Sequence, residues 1–177
     1  NYTMGILKEE YVPIADALLI SLARDSAIFE AENHLFNAAY LSAMQSKTDE
    51  VRAKETGDAL LIQQKQTTKE LYTLGKELSK PMKLLNLVFD KAGIKNSLTS
   101  DVLKKVNKRN FEGVLMGLKS LKDVVAAQNA LLTSYGMKAD TETVLQNAFD
   151  AITTKSNEQS SLQQQRKAFT SANKGIY

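Results

Sequence analysis

His34 is the only histidine of the chain. It stands in the run "EAENHLF", with Glu30 one turn back and Glu32 two positions away. An imidazole beside carboxylates is the beginning of a metal or acid–base site, but little here completes one. A di-iron bundle needs Glu-x-x-His pairs on two helices plus further carboxylates. The step from Glu30 to His34 has the wrong spacing, and there is no second histidine. A zinc site is equally short of ligands, because the chain has no cysteine. Nothing resembles the strained turn that presents a nucleophilic serine. His34 therefore reads as a helix-flank residue near acids. Neither an enzyme nor a cofactor nor a metal is expected.

Glycine offers no phosphate-cradling loop. Gly113 and Gly117, in "EGVLMGLKS", lie four apart within a helical pattern. In lipid that spacing marks a dimer face; in a lysine-rich helix it lets a neighbour approach closely. The run "KKVNKRNFEG" carries Lys104, Lys105, Lys108 and Arg109, and Lys119 and Lys122 continue the basic tally. Contact with phosphates would make affinity fall steeply with salt. No aromatic residues interleave with these charges for stacking, and cations are favoured at a helix C-terminus in any case. Nucleic acid is not expected as a partner.

A less usual feature is polarity at positions that should be apolar. Gln64 and Thr68, Gln128, and Lys155, Gln159 and Arg166 all fall in phase with apolar helix faces, as do Ser26 and Asn33. A polar group buried without a partner costs on the order of 1–3 kcal/mol, so such residues are not placed freely. Three readings are open. The helices project into water there; the side chains form hydrogen-bonded layers that set register; or they line a cavity for a small polar ligand. In the last case Lys155 and Arg166 are the charged candidates.

The elements that must position these residues are helical. The chain has 177 residues, is 43% hydrophobic and 24% charged, and has only two prolines and eight glycines. That length suits one domain with one core. A net charge of +3, from 23 basic against 20 acidic residues, does not demand an anionic partner. No run approaches the roughly 20 apolar residues of a membrane span. The densest, Ile14 to Ala23, is broken by Asp16 and Ser21. No alternating run reads as a strand.

Pro13 suits the first turn of a helix. From there Ile14, Leu18, Leu22, Ser26, Phe29, Asn33, Phe36, Tyr40 and Met44 form one face of a long helix, or of two broken near Asp25-Ser26. "QSKTDE", Gln45 to Glu50, reads as a turn with Thr48 or Asp49 as the next N-cap. A second helix, with the face Leu61, Gln64, Thr68, Leu71, Gly75 and Leu78, runs to a break or kink at Lys80-Pro81. "PMKLLNLVFDKAG" makes a short helix with Gly93 as its C-cap. "IKNSLTSD" is a connector, with Thr99 or Ser100 capping the next helix.

Val114, Leu118, Leu121, Val125, Gln128, Leu132 and Tyr135 step by fours and threes, a heptad seam that ends at Gly136. Asp140 or Thr141 caps the last helix, which runs towards Lys174. The polar stretch from Thr153 to Phe169 keeps the phase of the apolar residues on both sides and contains no proline or glycine, so the helix passes through it. Its rise of about 1.5 Å per residue takes such a helix over roughly 50 Å. The expectation is an all-α, antiparallel up-down bundle of four to five long helices. It would be one domain made of two helical hairpins, about 1–93 and 99–177. The start at Asn1 and the apolar end Ile176-Tyr177 suggest a piece of a longer chain.

The segment "DVVAAQNALLTSYGMKADTETVLQNAFDAI" and the later "QQQRKAFTSANKGIY" resemble uncharacterised all-helical bundle proteins of Bacteroidetes. The shared features are an Ala-containing apolar helix ending in Tyr135-Gly136, then Met137, then a capped helix with Leu145, Phe149 and Ile152. The resemblance implies a bundle and carries no catalytic residue with it. Two functions are thus in view. One is a structural or protein-interaction module, binding itself or another protein. The other is a small-ligand sensor similar to the four-helix sensor domains of bacterial receptors, using the polar seam.

Overall fold

The structure, a computed structural model, describes residues 8–174. Asn1, Ile176 and Tyr177, on which the expectation of a longer chain rests, lie outside the described residues. After a 3-10 turn at Lys8–Glu10 come α1 (Tyr11–Arg24), α2 (Ser26–Glu32), α3 (Ala38–Glu77) and α4 (Ser79–Lys91). To these the chain adds α5 (Leu98–Asn107), α6 (Phe111–Ala127), α7 (Asn129–Ser134) and α8 (Thr141–Ala172). No strand occurs among the described residues, and the fold is all-α. The two long helices are α3, with 40 residues, and α8, with 32. The polar stretch from Thr153 to Phe169 lies wholly inside α8.

The chain divides into two compact units. One is Ile62–Gln165; the other comprises the described residues up to Leu61 and from Arg166. The connector at 94–97 lies inside the first of these, and α3 and α8 contribute residues to both.

In the unit that holds the N-terminal helices, Pro13 sits in the first turn of α1 as expected. The helix stops at Asp25, whose carboxylate does not cap α2 but is held by Arg24 at 2.6 Å. A second break comes at Asn33, which is extended. Its Oδ1 accepts the Leu35 N–H at 3.0 Å, and Asn37 Oδ1 accepts the Tyr40 N–H at 3.1 Å. These short polar side chains offer the backbone a substitute for helix bonds, so the face expected from Ile14 to Met44 is cut twice. The turn expected at Gln45 to Glu50 does not form, and α3 runs straight through it. Thr48 donates its hydroxyl to the Met44 carbonyl at 2.9 Å instead of capping. Gln45 donates to Asp49 at 3.0 Å and Lys47 pairs with Glu50 at 2.8 Å. Bonds between side chains three and four apart support helix at a sequence that otherwise resembles a turn. Arg52 of α3 meets Asp16 of α1 at 2.7 Å. Among the described residues of this unit, Leu19 is the one large apolar side chain that is buried.

The unit Ile62–Gln165 holds the main core. Leu71, Leu78, Met82, Leu85, Phe89, Val102, Val106, Val114, Leu118, Leu121, Val125, Leu132, Met137, Leu145 and Ile152 form one buried cluster. The break between α3 and α4 falls at Leu78, ahead of the expected Lys80-Pro81. A proline ring collides with the carbonyl four residues back, here Glu77, which is where α3 ends. Pro81 itself then sits in the first turn of α4.

Helix α4 ends as its glycine suggests. Gly93 has φ of 69°, the Ile94 N–H reaches the Phe89 carbonyl at 2.9 Å, and the Gly93 N–H reaches the Asp90 carbonyl at 3.2 Å. This is the paired-bond cap that needs a left-handed residue. Gly136 closes α7 in the same way, with the Met137 N–H on the Leu132 carbonyl at 3.0 Å. A third such cap ends α5, but there Arg109 takes the left-handed position, at φ of 55°. The guanidinium of Arg109 lies 5.0 Å from the centre of the Tyr72 ring. The seam helix is interrupted after Ala127, so the expected run to Tyr135 is α6 and then the short α7. Thr99 is not a cap. It is buried and donates its hydroxyl to Asn86 Oδ1 at 2.9 Å.

Candidate functional site

Two features stand out in the unit Ile62–Gln165. The first is the polar seam, built by α3 and α8. Leu71, Ile152 and Leu162 are buried along these helices, and the polar residues replace apolar ones between them. Gln159 of α8 donates its amide to Thr68 Oγ1 at 2.8 Å. Thr68 in turn donates to the Gln64 carbonyl at 2.8 Å. Beside them Thr67, which is buried, donates to Glu158 at 3.2 Å. Lys155 is held by two carboxylates, Glu70 at 2.7 Å and Glu158 at 2.9 Å, and Gln66 donates to Glu70 at 2.7 Å. Among the described residues no buried side-chain nitrogen or oxygen lacks a partner.

Three of the six seam residues named from the sequence thus come together, Thr68, Lys155 and Gln159, and Gln64 contributes its backbone carbonyl. Gln128 does not join them. It lies at the joint of α6 and α7, where its N–H reaches the Val124 carbonyl at 3.1 Å and its carbonyl accepts from Leu132 at 2.9 Å. Arg166 belongs to the other unit, where with Gly57, Asp58, Leu61 and Phe169 it lines a depression of about 200 Å³. Thr67, Glu70 and Glu158 complete the seam; Thr67 is in phase with Leu71, Leu74 and Leu78, whereas phase with an apolar face does not single out Glu70 or Glu158. The step of three from Lys155 to Glu158 was the available signal.

The ammonium of Lys155 holds the Glu70 carboxyl below its ordinary range, chiefly through their hydrogen bond, with Gln66 adding to it. Glu70 and Glu158 together raise the Lys155 ammonium above its own. A carboxyl depressed on folding contributes stability above its unfolded value and loses it as pH falls through the folded one. A raised lysine contributes below its unfolded value and loses it as pH rises through the folded one. The seam pair is therefore intact across neutral pH and weakens at both extremes. Lys155→Gln is expected to move the Glu70 carboxyl upward, towards its ordinary range but not all the way, because the Gln66 hydrogen bond remains. A carbon-detected NMR titration of the Glu70 side chain reads this directly. An unmoved Glu70 would mean that Lys155 is not what depresses it.

The second feature is an apolar groove of about 380 Å³ between α4 and the stretch from Tyr135 into α8. Leu85, Met137 and Leu145 are its buried lining. Leu84, Leu87, Tyr135 and Val144 are exposed along it, at 44%, 56%, 44% and 37%. Lys80, Lys91 and Lys138 stand at its edges, with Asp140 and Thr141.

Comparison with known proteins finds no family model, no curated protein and no solved structure that matches the chain.

The groove has a sequence signature that is easily taken for a single amphipathic face. In "PMKLLNLVFDKAG", Met82, Leu85 and Phe89 form the buried stripe of α4. Leu84, Leu87, Val88 and Lys91 are spaced three, one and three, which is a second stripe on the same helix. A helix apolar on two faces has one face more than its own core uses. His34 lies exposed between α2 and α3, and no group of three or more potential metal ligands occurs among the described residues. Close approach at Gly117 does occur. A Cβ built there would stand 2.6 Å from Val102 Cγ2 of α5. No described helix is long and apolar enough to cross a membrane.

Proposed function

We propose that the chain is a non-enzymatic helical-bundle module that acts by binding protein, with the polar seam setting the register of α3 against α8. The observation that carries this is the second apolar stripe of α4. Leu84 and Leu87 stay exposed while Met82, Leu85 and Phe89 of the same helix are buried. Exposed apolar surface gathered in a groove, rather than scattered singly, is what partner sites use. The register role rests on satisfied hydrogen bonds. Thr67 and Lys155 bond to Glu158, Lys155 also to Glu70, and Gln159 to Thr68, which itself bonds to the Gln64 carbonyl. That argues against the alternative, a sensor of a small polar ligand, which needs polar groups turned towards a cavity.

Native mass spectrometry of the chain, purified gently from its source, tests the reading. The expected result is an assembly whose mass includes a second protein chain, like or unlike. An added mass of small-molecule size that vanishes on unfolding would favour the sensor. A bare monomer would overturn the interaction module.

A further inference from the structure

The occupant of the groove can be argued from charge and from what the chain itself presents. The groove is apolar along its length and mostly basic at its edges. Lys80, Lys91 and Lys138 outnumber Asp140, and among the described residues none of the three has an ion-pair partner. Its complement is a short helix whose exposed apolar side chains have carboxylates beside them. The chain carries such a helix in α2. Ile28 and Phe29 are exposed on it, at 65% and 36%, and Leu35 is exposed just beyond. Glu30 and Glu32 lie beside them, likewise with no ion-pair partner among the described residues.

We propose that the groove along α4 receives the α2 helix of a second copy of this chain. The proposal rests on the protein-binding reading above and names the partner. Ile28 and Phe29 take the apolar floor over Leu84 and Leu87, and Glu30 and Glu32 meet the lysines at the edge. A stable complex buries roughly 1,200–2,000 Å², more than one short helix supplies. Tyr11, Ile14 and Leu18, one stripe of α1, are further exposed apolar side chains. Two copies can exchange the contact reciprocally in a closed dimer or pass it head to tail; either raises the mass.

Charge reversal on both sides tests this. One variant carries Lys80→Glu with Lys138→Glu; the other carries Glu30→Lys with Glu32→Lys. All four side chains are exposed, and circular dichroism with a melting curve checks that each variant is folded. Sedimentation equilibrium is expected to show the parent chain associating across the micromolar range, more weakly as salt rises. Each variant alone is expected to associate at least about tenfold more weakly, because like charges then face each other. An equimolar mixture should recover association, since each reversed groove meets an oppositely charged helix in the other variant. A parent chain that stays monomeric overturns the proposal. So do reversals without effect, or a mixture that does not recover. If native mass spectrometry finds a different protein bound while the purified chain remains a monomer, the protein-binding reading stands and the second copy falls.

Discussion

Phe89→Ala is expected to lower the stability of the chain by about 3–5 kcal/mol, and Leu87→Ala, two residues away on the same helix, by no more than about 0.5 kcal/mol. Phe89 is 1% exposed and belongs to the core cluster of the unit Ile62–Gln165. Removing its ring forfeits the transfer free energy of the lost atoms and leaves a void that the packed helices fill only in part. Domains are stable by about 5–15 kcal/mol, so this one substitution removes a large share of what holds the fold. Leu87 is 56% exposed and already faces water, so its truncation gives up little burial. Urea unfolding should show a lower midpoint for Phe89→Ala with its slope unchanged. Equal losses for the two variants would mean that α4 does not divide into a core stripe and a partner stripe. Leu87→Ala should instead weaken self-association, which separates the two stripes by function as well as by stability.

That division also marks how far the sequence could be read. Where one physical demand acts alone, the pattern was legible. Val114, Leu118, Leu121, Val125 and Leu132 are all fully buried, as their spacing requires. Gly93 and Gly136 take positive φ at helix ends, where few other residues fit well. The polar stretch in α8 is helical because nothing in it breaks helix. Reading failed where two demands compete. Thr48 and Thr99 are good caps by type, but each finds a better acceptor elsewhere, in the Met44 carbonyl and in Asn86. Arg109 holds a position that usually signals itself with glycine. Pro81 shifts the break to Leu78 because its collision reaches back along the chain.

The candidate site was legible to a similar degree. Polar side chains in an apolar phase had to find partners, and Thr68, Lys155 and Gln159 do. Which helix supplies those partners is a tertiary fact that spacing along one helix does not contain. Gln128 shows the limit. It is in phase with α6 only until the helix breaks at that residue. The groove was hidden for a different reason. One apolar face explains a helix well enough that a second is read as more of the first.

Gly117→Ala is expected to destabilise the chain although alanine is the better helix former. In a helix interior the exchange alone gains about 1 kcal/mol. The added methyl, however, would stand 2.6 Å from Val102 Cγ2, where α5 and α6 pack. Val102 is 1% exposed and β-branched, so it has little rotamer freedom with which to yield. Overpacking of this kind costs about 1–3 kcal/mol, which leaves a net loss of up to about 2 kcal/mol once the helix gain is subtracted. Val102→Ala opens the same space from the other side and by itself costs stability through the lost contacts. The double variant Gly117→Ala, Val102→Ala should then lose less than the sum of the two singles, because the methyl added at Gly117 occupies room that Val102→Ala vacates. Urea midpoints of the four chains give the coupling. Losses that simply add would place the strain of Gly117→Ala somewhere other than Val102. A Gly117→Ala chain more stable than the parent would mean that α5 moves away from α6 at little cost, so that the close approach is not what glycine serves at this position.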